Sequence, residues 1–194
     1  MAITLEIWED SGPVLSSHGT TRQAVNNVGW KDSSLDETYG YYDYPLVRPQ
    51  SPITETLSYH KYNYLKISGT YPKATRVRLQ LIGDVAGAGV PTYTSTDKVK
   101  LYYKLTNTYS LPTNALLSST TLHLGTTVIL QPNLSLTGPE AASSRIFLLN
   151  TNTTYYTNYL VTQLWVDPGL WDEYGNIGAF SLRFLLDEYE STDV

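Results

Sequence analysis

The 194-residue chain contains no cysteine, which excludes disulfides, thiolate metal sites and thiol nucleophiles. Protein-borne redox chemistry goes with them. Charge is sparse as well: 13 Lys and Arg against 18 Asp and Glu leave a net charge of −5. No apolar run approaches the roughly 20 residues that a membrane-spanning helix needs. The opening MAITLEIWEDSG lacks the basic and apolar regions of a secretory signal, so the expectation is a soluble protein made without one. A helical repeat is also missing, because no long stretch places apolar side chains every three to four positions.

Alternation with a period of two is abundant instead. Ile3, Leu5 and Ile7 alternate with Thr4, Glu6 and Trp8, and Leu65 and Ile67 with Lys66 and Ser68. In RVRLQLI, Val77, Leu79 and Leu81 oppose Arg76, Arg78 and Gln80; in VKLYYKL, Val99, Leu101, Tyr103 and Leu105 oppose Lys100, Tyr102 and Lys104. Further strands are predicted over residues 126–130, 145–149, 159–166 and 180–186, with Gly, Pro and Asn supplying turns between them. YLVTQLWV and FSLRFLL are expected to pair, joined by the polar connection DPGLWDEYGN. Such short strands with polar turns predict an all-β fold, an antiparallel β-sandwich or jelly-roll-like barrel.

Length and a hydrophobic content of 41% suit one principal core, placed at residues 57–194. Residues 1–56 read as an N-terminal strand plus an extended arm. From Asp10 to Thr56 the chain carries Gly12-Pro13, Gly29, Gly40, Pro45, Pro49 and Pro52 and no sustained period. Its Trp30, Tyr39, Tyr41, Tyr42 and Tyr44 are too apolar for a solvated linker, so the arm is expected to lie on its own sandwich or on a neighbouring subunit. On that reading, removing residues 1–56 leaves a folded sandwich.

Charge is distributed in blocks. Residues 1–60 carry a net −5, and residues 61–104 a net +6 from Lys61, Lys66, Lys73, Arg76, Arg78, Lys98, Lys100 and Lys104 against Asp84 and Asp97. Residues 166–194 set Arg183 against seven acids, a net −6. A basic strand pair with Tyr102 and Tyr103 between its lysines suits phosphates and bases, but the acidic ends and net negative charge weigh against nucleic acid. The blocks equally allow Arg76, Arg78, Lys98, Lys100 and Lys104 to meet Asp187, Glu188 and Glu190, either within one chain or between subunits.

No enzyme signature is present. His18, His60 and His123 lack metal-ligand spacing, and no nucleophile elbow, dinucleotide fingerprint or P-loop occurs. GDVAGAG, over residues 83–89, reads as a flexible loop between RVRLQLI and VKLYYKL. The acids Asp167, Asp172, Glu173, Asp187 and Glu188 could supply a glycosidase pair, but any acidic chain offers such candidates. DPGLWDEYGN lacks the ligand spacing of a calcium loop. No cofactor is expected. With 17 Tyr and four Trp, a carbohydrate-binding module is the alternative, with loop residue Trp171 as the exposed stacking candidate.

The carboxy-terminal third, with YLVTQLWV, a Pro-Gly loop and a strand ending in LLDEY, resembles the end of β-sandwich virion proteins of tailed bacteriophages. YPLVRP followed by SYHKYNYLKISG is similar to them in the same way. The resemblance implies a non-enzymatic structural protein, a capsid decoration (cement) protein or a neck or tail component, with the decoration protein favoured. It implies a major capsid protein or neck and tail proteins as partners, a trimer or higher ring, no membrane, and a virion location after synthesis in the bacterial cytoplasm. Tyr39, Tyr41, Tyr42, Tyr44, Trp171 and the charged residues named above are then interface candidates.

Overall fold

The computed structural model describes residues 3–15, 18–25, 30, 53–69, 73–85, 99–117, 120–122, 127–130, 146–147, 154–170 and 179–189, with backbone alone at 73–76, 80–85, 127, 146–147, 170 and 179–189. Apart from a 3₁₀ turn at Pro168–Leu170, their regular structure is all strand. In chain order the strands are β1 (Ile3–Leu15), β2 (His18–Ala24), β3 (Thr56–Leu57), β4 (Lys61–Gly69), β5 (Lys73–Val85) and β6 (Val99–Thr106). They continue with β7 (Thr127–Ile129), β8 (Ile146–Phe147), β9 (Thr154–Tyr156), β10 (Tyr159–Val166) and β11 (Ala179–Tyr189). The chain is all-β and its pairings are antiparallel, as the period of two implied.

Seven strands form the first sheet, in the order β2-β1-β4-β10-β3, with β6 on β10 and β9 on β4. Two of its positions are broken strands. β3 and β4 run along one edge of β10 and β9, and the register changes by one residue at Ser58–His60 and again at Thr157–Asn158. At each break a hydroxyl takes over a ladder bond. Ser58 Oγ accepts the Leu164 N–H at 2.9 Å and Thr157 Oγ1 accepts the Leu65 N–H at 3.0 Å. Small hydroxyl residues therefore keep both extra residues from stranding a buried amide.

β5 is the centre of the second sheet, between β11 on one edge and β7 and β8 on the other. Val77 and Leu79 of β5, with Val128 and Leu130, join Leu65, Ile67, Leu101, Leu160, Leu164 and Val166 of the first sheet in one buried apolar cluster. The two sheets thus share a core in a β-sandwich-like arrangement. Inward positions of β5 and β6 follow the sequence alternation: Val77, Leu79, Val99 and Leu101 are all buried.

Several expectations are corrected. YLVTQLWV and FSLRFLL are not partners: β4 and β3 occupy one edge of β10 and β6 the other, so β11 pairs with β5 in the second sheet. RVRLQLI and VKLYYKL are likewise split between the two sheets, so the basic block is not one strand pair. Gly83, Asp84 and Val85 of the supposed flexible loop belong to β5.

The start of the expected arm is also strand. β1 continues to Leu15 and folds back on β2, from Trp8 opposite Ala24 to Leu15 opposite His18. Gly12-Pro13 does not break β1; it forms a bulge between Ser11 and Val14, with Gly12 at φ 76°. This bulge places a residue in the left-handed region and leaves a position with no ladder bond, which suits glycine and then proline. Residues 31–52 of the arm lie outside the described residues.

Candidate functional site

Directly opposed residues of antiparallel strands share a face. On the first sheet's outer face this builds one transverse row. Arg22 of β2 stands opposite Asp10 of β1, Asp10 opposite Tyr62 of β4, Tyr62 opposite Val161 of β10, and Val161 opposite Lys104 of β6. The polar and apolar ends of this row do different work.

Three donors converge on the buried Asp10 carboxylate. Arg22 Nε at 3.1 Å and the Tyr64 hydroxyl at 3.0 Å donate to Oδ1, and the Tyr159 hydroxyl donates to Oδ2 at 2.5 Å. Arg22 Nη2 also donates to the Tyr64 oxygen at 2.8 Å. Tyr62, Tyr64, Tyr109 and Tyr159 pack around this centre, with edge contacts at ring separations of 4.8 Å for Tyr62–Tyr109 and 5.3 Å for Tyr64–Tyr159. Burial, reinforced by Asp10, raises the pKa of Tyr64, Tyr109 and Tyr159 well above the ordinary phenol value. Burial opposes the charge of Arg22, but its contacts with Tyr64 and Asp10 outweigh that and hold the guanidinium protonated. Both Asp10 oxygens are engaged and the phenols keep their protons at neutral pH, so the cluster acts as a polar core rather than as an acid–base centre.

The inner face of the same strands carries a second buried charge. Lys61 Nζ lies 2.8 Å from Glu9 Oε1, with the two side chains 5% and 1% exposed. Trp30 closes on this region by donating from Nε1 to Thr162 Oγ1 at 3.2 Å.

Residues 107–117 form a strap across the outer face. Tyr109 donates to the Gly12 carbonyl at 2.5 Å, the His60 N–H to Thr113 O at 3.0 Å, and the His60 ring Nε2 bonds Ala115 O at 2.8 Å. The buried Gln163 amide donates to Ala115 O and Ser58 O and accepts the Leu117 N–H at 2.8 Å. Between the strap and β6 lies a cleft of about 340 Å³ with Tyr62 and Val161 lining it. Lys104 and Thr106 come from β6, and Thr108, Ser110, Leu111 and Leu116 from the strap. Among the described residues no carboxylate lines the cleft, and Leu111 and Leu116 are 51% and 60% exposed.

Burial lowers the His60 pKa from its ordinary 6.5, and Lys104 adds to the effect while the bond to Ala115 partly offsets it. The unfolded chain therefore takes a proton near pH 6.5 that the folded protein resists. Stability from this source is full above that pH and is lost as pH falls below it towards the folded pKa. Urea midpoints at pH 7.5 and 5 are expected to differ less in His60→Gln than in the wild type; equal differences would show that the ring does not report on the strap.

Of the interface candidates whose side chains are described, Lys104 alone lines this cleft. Lys100 lies 4.5 Å over the Trp165 ring, and Arg78 is half-buried on β5. Arg76 is on β5, and Asp187 and Glu188 are on the neighbouring β11, opposite Thr75 and Ala74. Tyr39, Tyr41, Tyr42, Tyr44, Lys98, Trp171 and Glu190 lie outside the described residues. The other tryptophans are engaged within the chain: Trp8 under Lys66 at 4.9 Å, Trp165 under Lys100, and Trp30 on Thr162. None of these three is the free stacking platform that a sugar-binding module needs. Sequence reasoning missed Leu111 and Leu116; their only signal was leucine inside the turn-forming SLPTNALL.

Comparison with protein families, with curated proteins and with solved structures finds no match for this chain.

Proposed function

We propose that this chain is a non-enzymatic structural protein of a tailed-bacteriophage particle, docking on neighbouring capsid subunits as a decoration protein in preference to a neck or tail component. The observation that carries the reading is the contrast across the first sheet. Asp10, Glu9 and five buried tyrosines are used up inside the fold, whereas the strap turns Leu111 and Leu116 outward beside Lys104. Exposed apolar side chains rimmed by polar ones are what a docking surface presents. The sequence resemblance over YLVTQLWV to LLDEY supports the choice of particle.

The test is the mass of the full chain by sedimentation velocity, together with its position when a lysate of the organism carrying the gene is banded on a density gradient. A trimer or larger ring, and antibody signal in the particle band, is the expected result. A monomer at every concentration, or a chain found only outside the particle band, overturns the proposal.

A further inference from the structure

Resting on that reading, we infer that the cleft between β6 and the strap receives the acidic segment after β11 of a second copy of this chain. The cleft is built for a negatively charged and partly apolar guest. Lys104 stands exposed within it, with no carboxylate partner among the described residues, and the half-buried His60 faces the same space. The hydroxyl side chains of Thr106, Thr108, Ser110 and Thr113 line it, while Val161, Leu116 and Leu117 add apolar surface.

The sequence contains a matching segment. After β11 ends at Tyr189, Glu190 and Asp193 follow, the latter beside Val194, and the whole block from residue 166 onward carries a net −6. Glu190 to Val194 lie outside the described residues, so the match is one of composition and charge.

Geometry favours a second copy over the same chain. Tyr189 pairs with Lys73, at the start of β5, which follows the Gly69 end of β4. His60 and the cleft adjoin the opposite end of β4, on the face turned away from the second sheet. The end of β11, from which the acidic segment continues, is therefore far from the cleft of its own subunit. Because cleft and segment are different surfaces, the contact is heterologous, and its repetition gives a ring when the rotation between subunits closes and a filament when it does not. Exposed charge pairs steer such a contact and make it sensitive to salt, while the apolar lining supplies the burial.

Sedimentation velocity of the full chain separates the outcomes, with circular dichroism confirming that each variant is folded. Lys104→Glu is expected to weaken self-association by about tenfold, as is the double variant Glu190→Lys/Asp193→Lys. Mixing the two variants is expected to restore association between unlike subunits, seen as a mixed species of two or more subunits even where an odd ring cannot close, because the reversed cleft of one fits the reversed segment of the other and the remaining pairing is native. If Lys104→Glu assembles like the wild type, or if both variants dissociate and mixing restores nothing, the inference falls while the assembly role stands. A wild-type chain that is monomeric throughout overturns both.

Discussion

A chain lacking residues 1–25 is expected to be unfolded, with no cooperative transition in urea and no strand signal in far-ultraviolet circular dichroism. β1 is an interior strand of the first sheet, between β2 and β4, and it matches β4 residue by residue from Ile3 opposite Gly69 to Asp10 opposite Tyr62. Deleting it removes that ladder and the Ile3 and Ile7 side chains that pack on the shared core. It also takes the Glu9 carboxylate away from the buried Lys61 ammonium, and leaves Tyr64 and Tyr159 without their Asp10 acceptor. Removing one partner of a buried ion pair costs about 3–5 kcal/mol, and each stranded hydroxyl about 1–3 kcal/mol more. Domains are stable by only about 5–15 kcal/mol, so these losses, added to the lost β1–β4 ladder and the apolar burial of Ile3 and Ile7, match the whole stability of the fold. The same reasoning reverses the expectation that a sandwich survives loss of residues 1–56. A truncated chain with a sharp urea transition of normal slope would show that the sheet tolerates an open edge at β4.

Asp10→Ala is expected to be the most damaging single substitution in the outer cluster, at about 4 kcal/mol. One carboxylate serves three donors from three other strands: Arg22 on β2, Tyr64 on β4 and Tyr159 on β10. The two phenols are buried and cannot turn to solvent. Arg22 retains 26% side-chain exposure and can, so its part of the loss is discounted for solvent screening. Tyr159→Phe removes only one bond and should cost about 1 kcal/mol. Urea denaturation at pH 7 measures both, and an Asp10→Ala loss no larger than that of Tyr159→Phe would mean that the network is not cooperative. The variant should also change the alkaline limb. Burial, then Asp10, raises the phenol pKa of Tyr64 and Tyr159 above 10.0, so the folded state holds protons that the unfolded chain releases. Stability from this source is full below pH 10 and falls as pH rises beyond it.

Strand identity was readable wherever one face is apolar and the other is not. Val77, Leu79, Val99 and Leu101 lie on inward positions because alternation is a local property of extended backbone. β4 and β10 were harder, since Tyr62, Tyr64, Tyr159, Val161 and Gln163 are buried as fully as Leu65 or Leu160. Both of their faces are covered, one by the second sheet and one by the strap, so their aromatic content marked a second core and not a binding platform. Gly12-Pro13 misled for a related reason. The same dipeptide serves to end a strand or to bulge it, and only the presence of β2 on the other side of β1 decides between them.

The sequence by itself determined that this protein is all-β, that it carries no cysteine chemistry, and that its charge falls in opposed blocks. These follow from composition and from side-chain direction along a strand, which need no knowledge of neighbours. Only the tertiary structure decided that β10 pairs with β4 and β6 while β11 pairs with β5, that Asp10 sits among tyrosines, and that Lys104 opens into a cleft beside the strap. Partner choice, burial and the company a charge keeps are set by residues far apart in the chain. Asp10 and Tyr159 are separated by most of its length, and only the closed sheet brings their oxygens within hydrogen-bonding distance.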